Sequence, residues 1–97
     1  MKVYLDDLRP APAGWTLAKT ADEAIDALRG GGVTELSLDF DLGDPVHGTG
    51  LIVLNWLGEA VAEGRCQLPR MIAHSSHPLG RRRLEAQIDF LEQKFTR

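Results

Sequence analysis

Three short apolar runs in this chain each stop at polar, titratable residues. Lys2-Val3-Tyr4-Leu5 runs into Asp6-Asp7, Leu36-Ser37-Leu38 into Asp39-Phe40-Asp41, and Arg70-Met71-Ile72-Ala73 into His74-Ser75-Ser76-His77. Short apolar runs separated by segments of helical period read as buried strands with crossover helices between them. If the three strands are parallel, their polar ends share one edge of one sheet. Open α/β sheets bind ligands just past the carboxyl ends of their strands. One pattern therefore constrains both the fold and the place of the site.

The segments between the runs fit this reading. Leu8 to Gly14 contains Pro10 and Pro12, which break a helical ladder, so it reads as a loop leading to a short strand near Trp15 to Ala18. Thr20-Ala21-Asp22-Glu23 has the form of a capping box, and Ala21, Ala24, Ile25 and Leu28 follow at i, i+3, i+4 and i+7. Gly30-Gly31-Gly32 ends that helix. A third strand covers about Glu35 to Leu38, and a loop rich in Gly, Asp and Pro spans Gly43 to Gly50. Leu51 to Ala62, apolar on most sides and carrying Trp56, reads as a helix on a sheet that stops at Gly64. Pro78 suits the first position of a last helix, whose apolar residues are Leu84, Ile88, Leu91 and Phe95. The order β, β, α, β, α, β, α implies right-handed crossovers. We expect one α/β domain over residues 1–97, three-layered, with about four mostly parallel strands in the order 2-1-3-4 and three helices. It resembles a doubly wound fold that lacks one helix and the last strand.

Composition narrows the function. Ninety-seven residues make one small core, and 43% hydrophobic with 26% charged residues is ordinary for a globular domain. No apolar stretch approaches the ~20 residues of a membrane span. The chain enters a strand almost at once and does not read as starting with a signal peptide, and Cys66 has no partner for a disulfide. Together these point to a cytoplasmic protein. A net charge of −3 gives no general attraction to nucleic acid, so any anion must be held locally.

Asp6-Asp7 with Asp39 and Asp41 is the strongest constellation. Carboxylates gathered at one edge repel each other unless a cation or a proton relieves them. Oxygen ligands suit Mg²⁺ or Mn²⁺, which also take phosphate oxygens. A single Asp after a strand equally serves as a turn or cap residue. All three histidines, His47, His74 and His77, fall on the same expected edge. Imidazole suits proton transfer near neutral pH, whereas His47 reads as an exposed loop residue and His77 equally as a neighbour of a helix cap. Arg9 can brace the acidic pair or reach a phosphate with its planar fork. Arg81-Arg82-Arg83 stands in the first turn of the last helix, where positive charge opposes the helix dipole, a placement that suits anion binding or a solvated basic face. Thr49-Gly50 and Gly80 open the last two helices, where glycine permits close backbone approach, and Ser75 has a hydroxyl for phosphate.

These residues resemble the cyclic-phosphate processing receiver family, compact relatives of response-regulator receiver domains. The resemblance covers nearly the whole chain. It rests on Asp6-Asp7-x-Arg9-x-x-Pro12, Trp15, Leu38-Asp39-Phe40-Asp41-Leu42-Gly43, Thr49-Gly50 and His74-Ser75-x-His77-Pro78-x-Gly80-Arg81. It implies a truncated receiver- or flavodoxin-like fold. It also implies hydrolysis of cyclic phosphodiesters on nucleotides or ADP-ribose-like products, so the partner is a small phosphorylated metabolite. Two positions depart from the family: Phe40 stands where histidine is usual, and His77 where asparagine is usual. On this reading Asp6, Asp7 and Asp39 hold a divalent cation, and His74 moves the proton. Asp41 completes the shell or orients His74, Arg9 and Ser75 steady the phosphate, and the start of the last helix adds Gly80 and Arg81. Two alternatives are a phospho-accepting signalling domain and a module that binds a phosphorylated metabolite without turnover. The first needs a lysine after a fifth strand, and Lys2, Lys19 and Lys94 do not supply one. A missing fifth strand leaves an exposed flank through which edge pairing can form a homodimer.

Overall fold

The computed structural model describes residues 1–43 and 49–95, so His47 lies outside the described residues. The elements are β1 (Lys2–Leu5), β2 (Thr16–Ala18), α1 (Ala21–Arg29), β3 (Glu35–Leu38), α2 (Gly50–Ala62), β4 (Arg70–Ala73) and α3 (Pro78–Phe95). The sheet has four strands in the order β2-β1-β3-β4, and every pairing is parallel. Strand order, direction and helix count are those expected from the sequence.

Local chemistry fixes the element ends. The Thr20 hydroxyl accepts the Glu23 amide at 3.1 Å, and the Glu23 carboxylate accepts the Lys19 amide at 2.7 Å, one residue ahead of the cap. Gly31 and Gly32 then turn the chain at φ +81° and +78°, a region open to glycine. Thr49 caps α2 by accepting the Leu51 amide at 3.2 Å.

Both crossovers, β2–α1–β3 and β3–α2–β4, step across the sheet in one direction, so their right-handedness puts α1 and α2 on one face. α3 returns beside α2 and β4. Strand alternation sends Val3, Leu5, Leu36, Leu38 and Met71 toward these helices, where they are buried with Val53, Leu54, Leu57, Leu84 and Leu91. The opposite face has no helix among the described residues, because the proline-containing loop from β1 to β2 stands where one would lie. The expected third layer is therefore a loop. It places Trp15 edge-on to Tyr4 at 6.2 Å and under the Lys2 ammonium, which also pairs with Glu35 at 3.2 Å. Ile72, on the same face of β4, is 48% exposed. Among the described residues, no helix is long and apolar enough to cross a membrane.

α2 starts hard against β3. A Cβ on Gly50 would collide with the Asp39 carbonyl and press Leu84 at 3.1 Å. Backbone cannot yield as a flexible side chain does. Gly50→Ala should lower unfolding stability by about 1–3 kcal/mol, seen as a lower urea midpoint with an unchanged slope.

Candidate functional site

The site is a product of strand register. Leu5 pairs with Leu38, and Leu38 with Ala73, so one residue further stand Asp6, Asp39 and His74. The ladder continues through that step: the Asp39 amide donates to the Leu5 carbonyl at 3.0 Å and the His74 amide to the Leu38 carbonyl at 2.9 Å. Alternation then places these three residues on the helix-free face, two positions beyond Tyr4, Ser37 and Ile72. One side-chain ligand atom from each of Asp6, Asp39 and His74 lies within 4.8 Å of the other two.

Asp6 anchors this group. It is 1% exposed, yet its Oδ1 accepts the amides of Leu8 and Arg9, both at 2.9 Å, and its Oδ2 lies 3.1 Å from His74 Nε2. Burial pushes the carboxyl pKa up. The two amides, the hydrogen bond to His74 and its charge pull the other way and prevail, leaving it below its ordinary value. His74 is held on every side. Its Nδ1 lies 2.7 Å from the Ser37 hydroxyl, and its ring lies flat on Tyr4 with centroids 4.2 Å apart and planes 3° from parallel. Arg9 braces the edge, donating from its guanidinium to the His74 carbonyl at 3.2 Å.

Beside this group opens a cleft of about 330 Å³ lined by Asp7, Leu8, Asp39, Asp41, Gly43, Ser75, Ser76, His77 and Pro78. Asp41 Oδ1 accepts the Gly43 amide at 2.8 Å, which leaves its second oxygen for the cleft. Buried Ser75 accepts the His77 amide at 3.1 Å, which leaves its hydroxyl proton to donate elsewhere. His77 Nδ1 accepts the Gly80 amide at 2.9 Å, and its ring stacks on Phe40 with centroids 6.0 Å apart. Phe40 and His77 are thus in contact across the cleft's rim.

The other residues singled out in the sequence stand around the cleft and not in its lining. Thr49 bridges to Asp41 through its backbone. The space before Gly50 is filled by the Asp39 carbonyl, and that before Gly80 by the Phe40 ring, 2.5 Å from where a Cβ would stand. Arg81 is exposed on the first turn of α3. Two participants, Ser37 and Tyr4, were not singled out. The period-2 step from Tyr4 to Asp6 and from Ser37 to Asp39 is the signal that would have found them.

Two carboxylates and an imidazole suit a divalent cation, and the nitrogen donor favours Mn²⁺ over Mg²⁺. The 3.1 Å between Asp6 Oδ2 and His74 Nε2 matches neighbouring donors on a shell of radius about 2.1 Å. Ser37 on the far nitrogen is the outer partner that orients a ligating histidine. Asp7, Asp39 and Asp41 line the cleft with no Lys or Arg among the described lining residues, so a phosphate entering alone meets only repulsion from charged side chains.

The lowered carboxyl of Asp6 has a consequence for stability. As pH falls below about 5, the unfolded state takes up its proton at the ordinary aspartate value before the folded state does, so stability falls with pH in that window. In urea titrations between about pH 5 and 3, the protein should lose stability more steeply than Asp6→Asn. Equal slopes would remove Asp6 as the cause.

Comparison with known families matches residues 1–90 to the cyclic-phosphate processing receiver domain. No curated protein and no solved structure matches the chain. A parallel sheet ordered 2-1-3-4, acidic residues and a histidine at its carboxyl edge, and a family match across nearly the whole length agree: the chain belongs to the cyclic-phosphate processing receiver domain family.

Proposed function

We propose that this domain hydrolyses a cyclic phosphodiester on a nucleotide or an ADP-ribose-like product. The observation that carries the reading is the meeting of Asp6, Asp39 and His74 donor atoms beside a carboxylate-lined cleft. Such a cleft accepts an anion only when a cation offsets its own charge. Asp6, Asp39 and His74 would hold Mn²⁺ or Mg²⁺, which supplies charge neutralisation and an acidified water when bound. Ser37 fixes His74 through Nδ1, so Nε2 stands beside the Asp6 carboxylate as the donor atom, which suits a fixed ligand better than a proton shuttle.

The remaining roles follow from which atoms stay free. Ser75 donates its hydroxyl proton to a phosphate oxygen. Asp41 takes the proton of the attacking water on the oxygen not bonded to Gly43. Water adds to phosphorus, one bond from phosphorus to a ring oxygen breaks, and that oxygen takes a proton from solvent to give a phosphomonoester. The signalling alternative finds less support, since Lys2 pairs with Glu35 at the amino ends of the strands and no lysine stands among the described residues that line the cleft.

Incubating the protein with 2′,3′-cyclic nucleotides and ADP-ribose 1″,2″-cyclic phosphate, with Mn²⁺, Mg²⁺ or EDTA, and recording phosphorus NMR after quenching with excess EDTA tests the reading. Ring opening should require the cation and should fall about a hundredfold or more in Asp39→Asn. No turnover of any substrate under any condition would reduce the site to a binding one. Ser37→Ala should weaken Mn²⁺ binding about tenfold by calorimetry while the fold survives.

A further inference from the structure

The cleft needs a group that meets the phosphate without adding to its negative lining, and the structure points to His77. His77 precedes the first residue of α3 and takes the place of its N-cap. Its Nδ1 accepts the Gly80 amide at 2.9 Å, and its carbonyl accepts the Arg81 amide at 2.8 Å, the first turn of the helix. A nitrogen that accepts a hydrogen bond carries no proton, so the neutral ring must hold its proton on Nε2. Nε2 has no hydrogen-bond partner among the described residues, and His77 lines the cleft. The ring cannot rotate freely about this contact. It lies over Phe40 at 19° between planes, and Phe40 itself fills the space that a side chain on Gly80 would take.

We propose that His77 is a second neutral hydrogen-bond donor of the cleft beside Ser75, holding a phosphate oxygen through Nε2–H while its Nδ1 caps α3. The role rests on the cyclic-phosphate reading for its ligand, but not on turnover. It differs from general acid catalysis. Protonating Nδ1 would replace an acceptor by a donor facing the Gly80 amide, so the cap and the charged ring are incompatible. His77 binds and orients; it does not deliver a proton. The same logic defines what can replace it. Asparagine offers a carbonyl oxygen to the Gly80 amide and an NH₂ group to the cleft. Aspartate offers the oxygen alone.

The test uses inorganic phosphate as the probe, in the presence of diamagnetic Mg²⁺, with the whole chain and its His77→Asn and His77→Asp variants. Both variants keep an oxygen acceptor for α3, so thermal unfolding should show both folded. A long-range proton–nitrogen NMR spectrum at about pH 8, above the ordinary imidazole range, should show His77 protonated on Nε2 alone. Phosphate should shift that signal. His77→Asp should bind phosphate about tenfold more weakly or worse, and His77→Asn should bind within a few-fold of the unaltered protein. A proton on Nδ1, equal phosphate affinity in His77→Asp, or no phosphate binding by the unaltered protein each overturns the proposal. If phosphate binding follows this pattern and no cyclic phosphate is opened, the donor role stands and the hydrolase reading falls.

Discussion

Main-chain hydrogen bonds between β1, β3 and β4 do not stop where the strands stop. They run one step further, from the Asp39 amide to Leu5 and from the His74 amide to Leu38, and the edge depends on that step. A slip of one residue in either pairing would turn one of the three donors to the helix side of the sheet. The register is secured by the core, since Leu5, Leu36 and Leu38 are fully buried and cannot exchange places with the polar residues between them. Hydrophobic burial thus aligns a polar site that it does not itself touch.

A second layer of order comes from hydrogen bonds that hold charge. Asp6 is the most buried acidic residue described, and it remains ionisable because the turn after β1 aims two amides at one oxygen. Those amides come from a loop that proline keeps from becoming helical. The loop that omits a helix therefore supplies the anion's partners, and Arg9 on the same loop ties β1 to the end of β4.

Most of this was legible in the sequence, and the parts that were not share a cause. Apolar runs ending in acid or histidine gave the strands, their direction and the edge, because burial and turn chemistry act locally. The register was not written in any single segment, so Ser37 looked like a small residue inside a strand and Tyr4 like packing. Only pairing across the sheet brings them to His74. The placing of α1 and α2 on one face follows from counting crossovers, and the absence of a helix between β1 and β2, legible from Pro10 and Pro12, leaves the second face to a loop. The sequence motifs marked Gly50 and Gly80 for ligand approach, while their space is taken by Asp39 and Phe40.

Those glycines say something more general about the edge. Asp7 faces Gly43, Asp39 faces Gly50 and Phe40 faces Gly80, each with no room for one added carbon. The clearance around the acidic residues is consequently set by atoms that are missing, and the site is held the way a key is held by the depth of its cuts. Slack is least where backbone meets backbone: a methyl group on Gly50 would press the Asp39 carbonyl, the strand end that carries one of the carboxylates.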